Sequence, residues 1–322
     1  MHFDVKFELK RYSSKLSDQL ITTEINSVAT KIIIENENCI IQLAGSNRED
    51  IERIFYSVWE LLALYDGYFY LPIEWMIDGE SENDLSKIFK KNFRKTAKFW
   101  KQGATLLGEN ERLIDESVVR NYTSFRSRGR QQGKMFSSIV NTYFWVISDS
   151  YREVNIEHKL SLLLNGCDGY YINMHPEKKS KNAGGNIVKL INEIAKEKVQ
   201  YGLGLLGISK NHITELFGGV RNEIDHYISL QYSVGDYKLK KPDNKALDNL
   251  NIYLLYVIEL TLRTTLLKNV GGNVKQKAVN RAIDGINDWL ILQCGFSEKC
   301  ALPENQIKQM EIEFLKEQSV NP

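Results

Sequence analysis

The chain has 322 residues, room for two ordinary domains or one large one. With 43% hydrophobic and 26% charged residues, its composition is that of a folded protein and excludes a disordered one. The formal net charge of +1 excludes bulk attraction to nucleic acid, so any such signal must be local.

The first eighty residues read as β-rich with one helix. Val5, Phe7 and Leu9 alternate as in a half-buried strand. Thr30 to Ile34 and Cys39 to Leu43 are β-branched or apolar runs joined by Glu35-Asn36-Glu37-Asn38, the pattern of a hairpin. From Glu49 to Tyr65, Ile51, Ile54, Phe55, Val58, Leu61 and Leu62 recur at helical spacing, and Gly67 supplies the stop. Tyr68 to Ile77 is aromatic and extended.

Residues 82–131 differ in character and read as a basic connector. Between Lys87 and Lys101 stand seven basic residues and no acidic one, interleaved with Phe89, Phe93 and Trp100. The bland reading is a solvated face. Lysines and arginines alternating with aromatics also suit a surface that binds phosphates and stacks bases. That makes Lys90, Lys91, Arg94 and Lys98 candidate RNA contacts, with Arg126, Arg128 and Arg130 as a second cluster.

Beyond residue 130 the sequence is nearly all helical, with candidates at 133–151, 155–171, 186–205, 209–231, 245–268, 275–294 and 304–318. Gly184-Gly185, Lys241-Pro242, Gly271-Gly272 and Pro303 are among the breakers between them. The stretch Ile252 to Leu267 is strongly apolar but carries Glu259 and Arg263, as a core helix does and a membrane span does not. The expected class is therefore α+β. A β-rich domain (1–81), a sensor or restraint, is followed by the connector (82–131), a helical domain (132–270) and C-terminal helices packed on it (271–322). Met1 to Lys10 does not look like a signal peptide, so a cytoplasmic protein without a membrane anchor is expected.

Metal chemistry has no visible framework. Cys39, Cys167, Cys294 and Cys300 form no paired motif, and His2, His158, His175 and His212 have no ligand spacing, so neither a metal nor a cofactor is expected. Gly184-Gly185 lacks the Gly-Lys-Ser/Thr ending of a phosphate-binding loop.

The informative stretch runs from Ser209 to Ile228. On a helical wheel Ile213, Phe217, Val220, Ile224 and Ile228 form one apolar stripe. The opposite face carries Gly218, Asn222, Asp225 and Ser229. Arg221 and His226 flank that row, roughly 140° apart with an axial offset of about 7.5 Å. Two glycines inside a helix cost roughly 1 kcal/mol each against alanine, which is tolerated where another backbone must come close or where the helix is kinked.

Arg221-Asn222-x-x-x-His226 in its apolar frame resembles the signature of HEPN-domain ribonucleases. The helices at 134–151 and 156–171 resemble the opening helices of the ApeA-like HEPN group of bacterial antiphage proteins. The likeness covers residues 133–268. It implies an all-α bundle that cleaves RNA without metal, leaving a 2′,3′-cyclic phosphate and a 5′-hydroxyl. Arg221 and His226 would be the catalytic pair, with Asn222 and Asp225 in support. The residue types suit that chemistry. A histidine moves protons near neutral pH, and a guanidinium holds developing phosphate charge. The likeness further implies a homodimer in which Gly218 and Ser229 permit close approach. The biological role would be that of a toxin or abortive-infection effector, released by a phage-derived trigger or restrained by an antitoxin. The competing expectation is a non-catalytic scaffold that binds RNA or dimerises. An ordinary i, i+4 surface ion pair between Arg221 and Asp225 is compatible with either expectation.

Overall fold

The computed structural model describes residues 1–9, 19–35, 38–67, 70, 72–81, 106, 115–127, 132–147, 156–180, 182–206, 208, 210–225, 233–234, 237–238 and 244–295. The α+β class holds: an N-terminal antiparallel sheet precedes a mostly helical region. The chain divides into two compact units. One comprises Met1–Glu153 and Arg263–Ala278; the other comprises Val154–Leu262 and Val279–Pro322.

In the first unit, β1 (His2–Glu8), β2 (Gln19–Ile25), β3 (Val28–Glu35), β4 (Asn38–Ala44), β5 (Pro72–Ile77) and β6 (Glu80–Ser81) form one antiparallel sheet in the order β2-β3-β4-β1-β5-β6. Phe3, Val5 and Phe7 of β1, Ile32 and Ile34 of β3, and Cys39, Ile41 and Leu43 of β4 point to the buried face. This is the period-2 pattern of a sheet covered on one side. The cover is α1 (Arg48–Asp66), whose N-terminus is capped by Asn47 accepting from the Glu49 N–H. Phe55 stacks on Phe7 at 6.1 Å and meets Trp75 at 4.7 Å. Burial drives the Cys39 thiol up to about 12, the behaviour of an inert core thiol.

Two helices lie in this unit that the sequence pattern assigns elsewhere. α2 (Glu116–Ser127) occupies part of the expected connector and packs on α1 and β2. α3 (Gln132–Ile147), expected to open the helical domain, clusters with the sheet unit. Arg263 is buried at 1% exposure, and its Nη1 donates to the Leu64 and Tyr65 carbonyls near the end of α1. Gly67 caps that helix in the left-handed conformation (φ 65°), its N–H donating to the Ala63 carbonyl. A Cβ on it would stand 3.0 Å from the Arg263 guanidinium. Glycine thus supplies both the turn and the room for a cation at a helix C-terminus.

The second unit contains α4 (Ile156–Met174), α5 (Ala183–Leu205), α6 (Ile213–Asp225), most of α7 (Asn244–Asn269) and most of α8 (Gln276–Gly295), with a two-residue β7–β8 pair at Ser233–Val234 and Tyr237–Lys238. Asn182 caps α5 by accepting from the Gly185 N–H, and a non-helical Ala195 (φ −160°, ψ 50°) kinks that helix midway. Gly184-Gly185, read from sequence as a breaker, lies in the first turn of α5. The segment Asn249–Asn269 is long and apolar enough to cross a membrane by length and composition, but 89% of its apolar 18-residue window is buried inside the protein. The helix expected at 304–318 lies outside the described residues.

Candidate functional site

α6 carries Arg221. Ile213, Leu216, Phe217 and Val220 are buried at 5% exposure or less, so the apolar stripe faces inward. That orientation leaves Gly218, Gly219 and Arg221 half-exposed. The helix is pressed against the start of α5. A Cβ on Gly184 would come within 2.1 Å of the Thr214 carbonyl oxygen and 2.7 Å of the Gly218 amide nitrogen. Both are backbone atoms and cannot yield cheaply. The close approach anticipated from Gly218 is thus met by Gly184 of the same chain, and an assembly contact is not needed to explain it.

Arg221 meets a polar stripe on α4. Ser161, Asn165 and Asp168 are spaced i, i+4, i+7 and share one face of a helix otherwise rich in leucine. Arg221 Nε donates to Asn165 Oδ1 at 2.6 Å, and Asn165 Nδ2 reaches Ser161 Oγ at 3.4 Å. The carboxylate of Asp168 stands 3.8 Å from Arg221 Nη2 through Oδ2. Its other oxygen accepts from Asn186 Nδ2 at 2.8 Å, and Asn186 Oδ1 accepts from the Ser180 N–H at 2.5 Å. Asn186 is buried at 1% and Asp168 at 8% exposure, whereas the Arg221 side chain keeps 29%. The result is a polar chain rooted in the core that reaches Arg221. The stripe Ser161, Asn165, Asp168 was not singled out from sequence. Three polar residues at helical spacing within an apolar helix are the signal that could have found it.

The other expected site residues divide sharply. His226, Ser229, Lys90, Lys91, Arg94, Lys98, Arg128 and Arg130 lie outside the described residues. Asn222 and Asp225 lie on α6, with side chains outside the described set. Arg126, expected as an RNA contact, is held in a network within the described residues. Its Nε and Nη2 donate to the two oxygens of Glu60 at 2.9 and 2.8 Å. Nη2 also reaches Asn141, and Nη1 reaches the Ser137 carbonyl. Tyr122 donates to the same carboxylate at 2.8 Å. Burial pushes the Glu60 carboxyl above the usual glutamate range, against the opposing pull of Arg126 and the Tyr122 hydrogen bond.

A cleft of about 460 Å³ is lined by Glu197, Lys198, Tyr201, Asp284, Asn287, Asp288 and Ile291. Its three carboxylates outnumber its one ammonium, and Lys198 is already paired with Asp284. Such a lining repels polyphosphate. Compared with family models, with curated proteins and with solved structures, the chain matches none of them.

Proposed function

We propose that the chain is a metal-independent endoribonuclease of the HEPN type, acting as a toxin or antiphage effector, with Arg221 and His226 as its catalytic pair. The observation that carries this reading is the anchoring of Arg221. A neighbouring helix fixes Nε through Asn165, and the side chain as a whole keeps 29% of its exposure. A pre-oriented cation of this kind can stabilise charge on a phosphate without reorganising during the reaction. RNA brings its own nucleophile, the 2′-hydroxyl adjoining the scissile phosphate. His226 would take that proton or return one to the leaving 5′-oxygen. Arg221 would hold the phosphate oxygens as negative charge builds. DNA lacks the 2′-hydroxyl and would not be cut.

The ion pair with Asp168 favours a second reading, a non-catalytic scaffold in which Arg221 ties α6 to α4. The two readings separate in one experiment. Purified protein is incubated with RNA in excess EDTA, alongside Arg221→Ala and His226→Ala. The ribonuclease reading expects cleavage by the wild type, products with 2′,3′-cyclic phosphate ends, and loss of both in each variant. Identical behaviour of the three proteins supports the scaffold.

A further inference from the structure

We infer that Asn165 and Asp168 are positioning residues that set the orientation of the Arg221 guanidinium toward an RNA phosphate; this rests on the ribonuclease reading above. An arginine is useful at a phosphate because its planar fork presents parallel donors. A fork on a long side chain must be held in one plane. Asn165 does this at Nε through a 2.6 Å hydrogen bond. Because Arg221 can only donate, the oxygen of the Asn165 amide must face it, and the amide nitrogen is then directed to Ser161.

Asp168 acts from a second point. At 3.8 Å from Nη2 it is close enough to attract the cation yet beyond a normal hydrogen bond. Its Oδ1 is held by Asn186, whose amide oxygen is itself held by the Ser180 backbone. That hydrogen bond restrains the carboxylate from turning toward the guanidinium. Two points on α4, one on Nε and one facing Nη2, constrain the plane of the fork. The same carboxylate opposes an approaching phosphate, so its removal should improve binding while harming orientation. Misplacing a catalytic group by about 1 Å can cost about 100-fold in rate.

The test uses the full chain, a short single-stranded RNA as substrate, and separate measurement of kcat and KM. Asn165→Leu keeps the size of the side chain and removes the acceptor, whereas Asn165→Asp keeps the acceptor. Asn165→Leu is expected to lower kcat about tenfold or more with KM little changed, and Asn165→Asp to recover most of that loss. Asp168→Asn is expected to lower both kcat and KM. Neither Asn165→Leu nor Asp168→Asn should reduce the residual rate of Arg221→Ala further, because each acts through Arg221. Melting temperatures taken in parallel identify a variant that has merely unfolded, and the Leu–Asp pair at one position remains interpretable if Asp168→Asn does so. Failure of the wild type to cleave RNA sinks the ribonuclease reading and this role together. If the wild type cleaves and Arg221→Ala does not, equal kcat in Asn165→Leu and Asn165→Asp overturns the positioning role alone. So does additive loss in the double variants.

Discussion

Arg126 and Arg221 are both half-hidden arginines facing an acid on another helix, yet the structure employs them differently. Arg126 has a side-chain exposure of 19% and spends its donors on two carboxylate oxygens, an amide and a backbone carbonyl. Its partner Glu60 is more buried still. Arg221, at 29%, donates through Nε to Asn165 and stands 3.8 Å from Asp168. An arginine saturated by inward-facing acceptors serves the fold. One that keeps more of its side chain exposed is better placed to meet a ligand. Sequence alone ranks them together, since each is a basic residue on an amphipathic helix.

The largest expected effect breaks the comparison at its functional end. Arg221→Ala should reduce RNA cleavage in EDTA by at least about 100-fold, the cost typical of deleting one donor to a developing oxyanion. It should cost the fold about 1–3 kcal/mol, the range for leaving partly buried acceptors short of a donor. Cleavage is read from end-labelled RNA and stability from urea unfolding. An Arg221→Ala protein that loses several kcal/mol of stability would place Arg221 with Arg126, as a structural cation.

Arg126→Ala should show the reverse. Stripping one partner from a buried pair leaves the other charge uncompensated, at a cost of about 3–5 kcal/mol. Urea unfolding should report that loss. RNA affinity, measured at the lowest temperature that keeps the variant folded, should be unchanged. A fall in affinity with little loss of stability would return Arg126 to the nucleic-acid surface that its sequence neighbourhood suggests.

Much of the fold was legible because burial imposes periodicity. Alternation marked β1, β3 and β4, and the 3.6-residue spacing marked α1, α7 and α8 to within a few residues. β2 was missed because its neighbours place Leu20, Thr22 and Glu24 outward with little apolar alternation. α2 was missed because its basic residues outweighed Val118, Val119 and Tyr122, which are all buried. The site was legible only in part. A motif points to Arg221 from its own helix, but the residues that hold it come from α4 and α5, more than thirty positions upstream. No local pattern links Asn165, Asp168 and Asn186 to Arg221. Tertiary packing makes that connection, through a glycine contact that reads in sequence as a loop.

That contact gives a smaller effect. Gly184→Ala would drive a methyl group into the α6 backbone and should cost about 1–3 kcal/mol, the range for overpacking a tight interface. It should also lower cleavage, because α6 carries Arg221. Gly219→Ala is the counterpart: its Cβ would meet nothing within 4 Å among the described residues. It should stabilise the protein by up to about 1 kcal/mol through helix propensity alone. Urea unfolding distinguishes the two. If Gly219→Ala instead loses stability as protein concentration falls, in step with a dissociation seen by sedimentation, the open face of α6 is an interface between copies of this chain.

The smallest effect tests how the Glu60 pair is balanced. Burial outweighs Arg126, so the carboxyl of the folded protein titrates above its ordinary value of 4.5. Between the unfolded and folded values the native state binds more protons than the unfolded state. Stability from this group is then fully present below the ordinary value and is lost as pH rises through the folded one. Glu60→Gln removes the titration, so the stability of the wild type relative to this variant should decline with rising pH across that window. Were Arg126 the stronger influence, the sign would invert and the wild type would gain on Glu60→Gln as pH rises. Urea unfolding of both proteins from pH 4 to pH 8 reads that sign directly. A gain would mean that Arg126 more than repays the burial of Glu60, and that the pair stabilises the sheet unit as well as orienting α2 on α1.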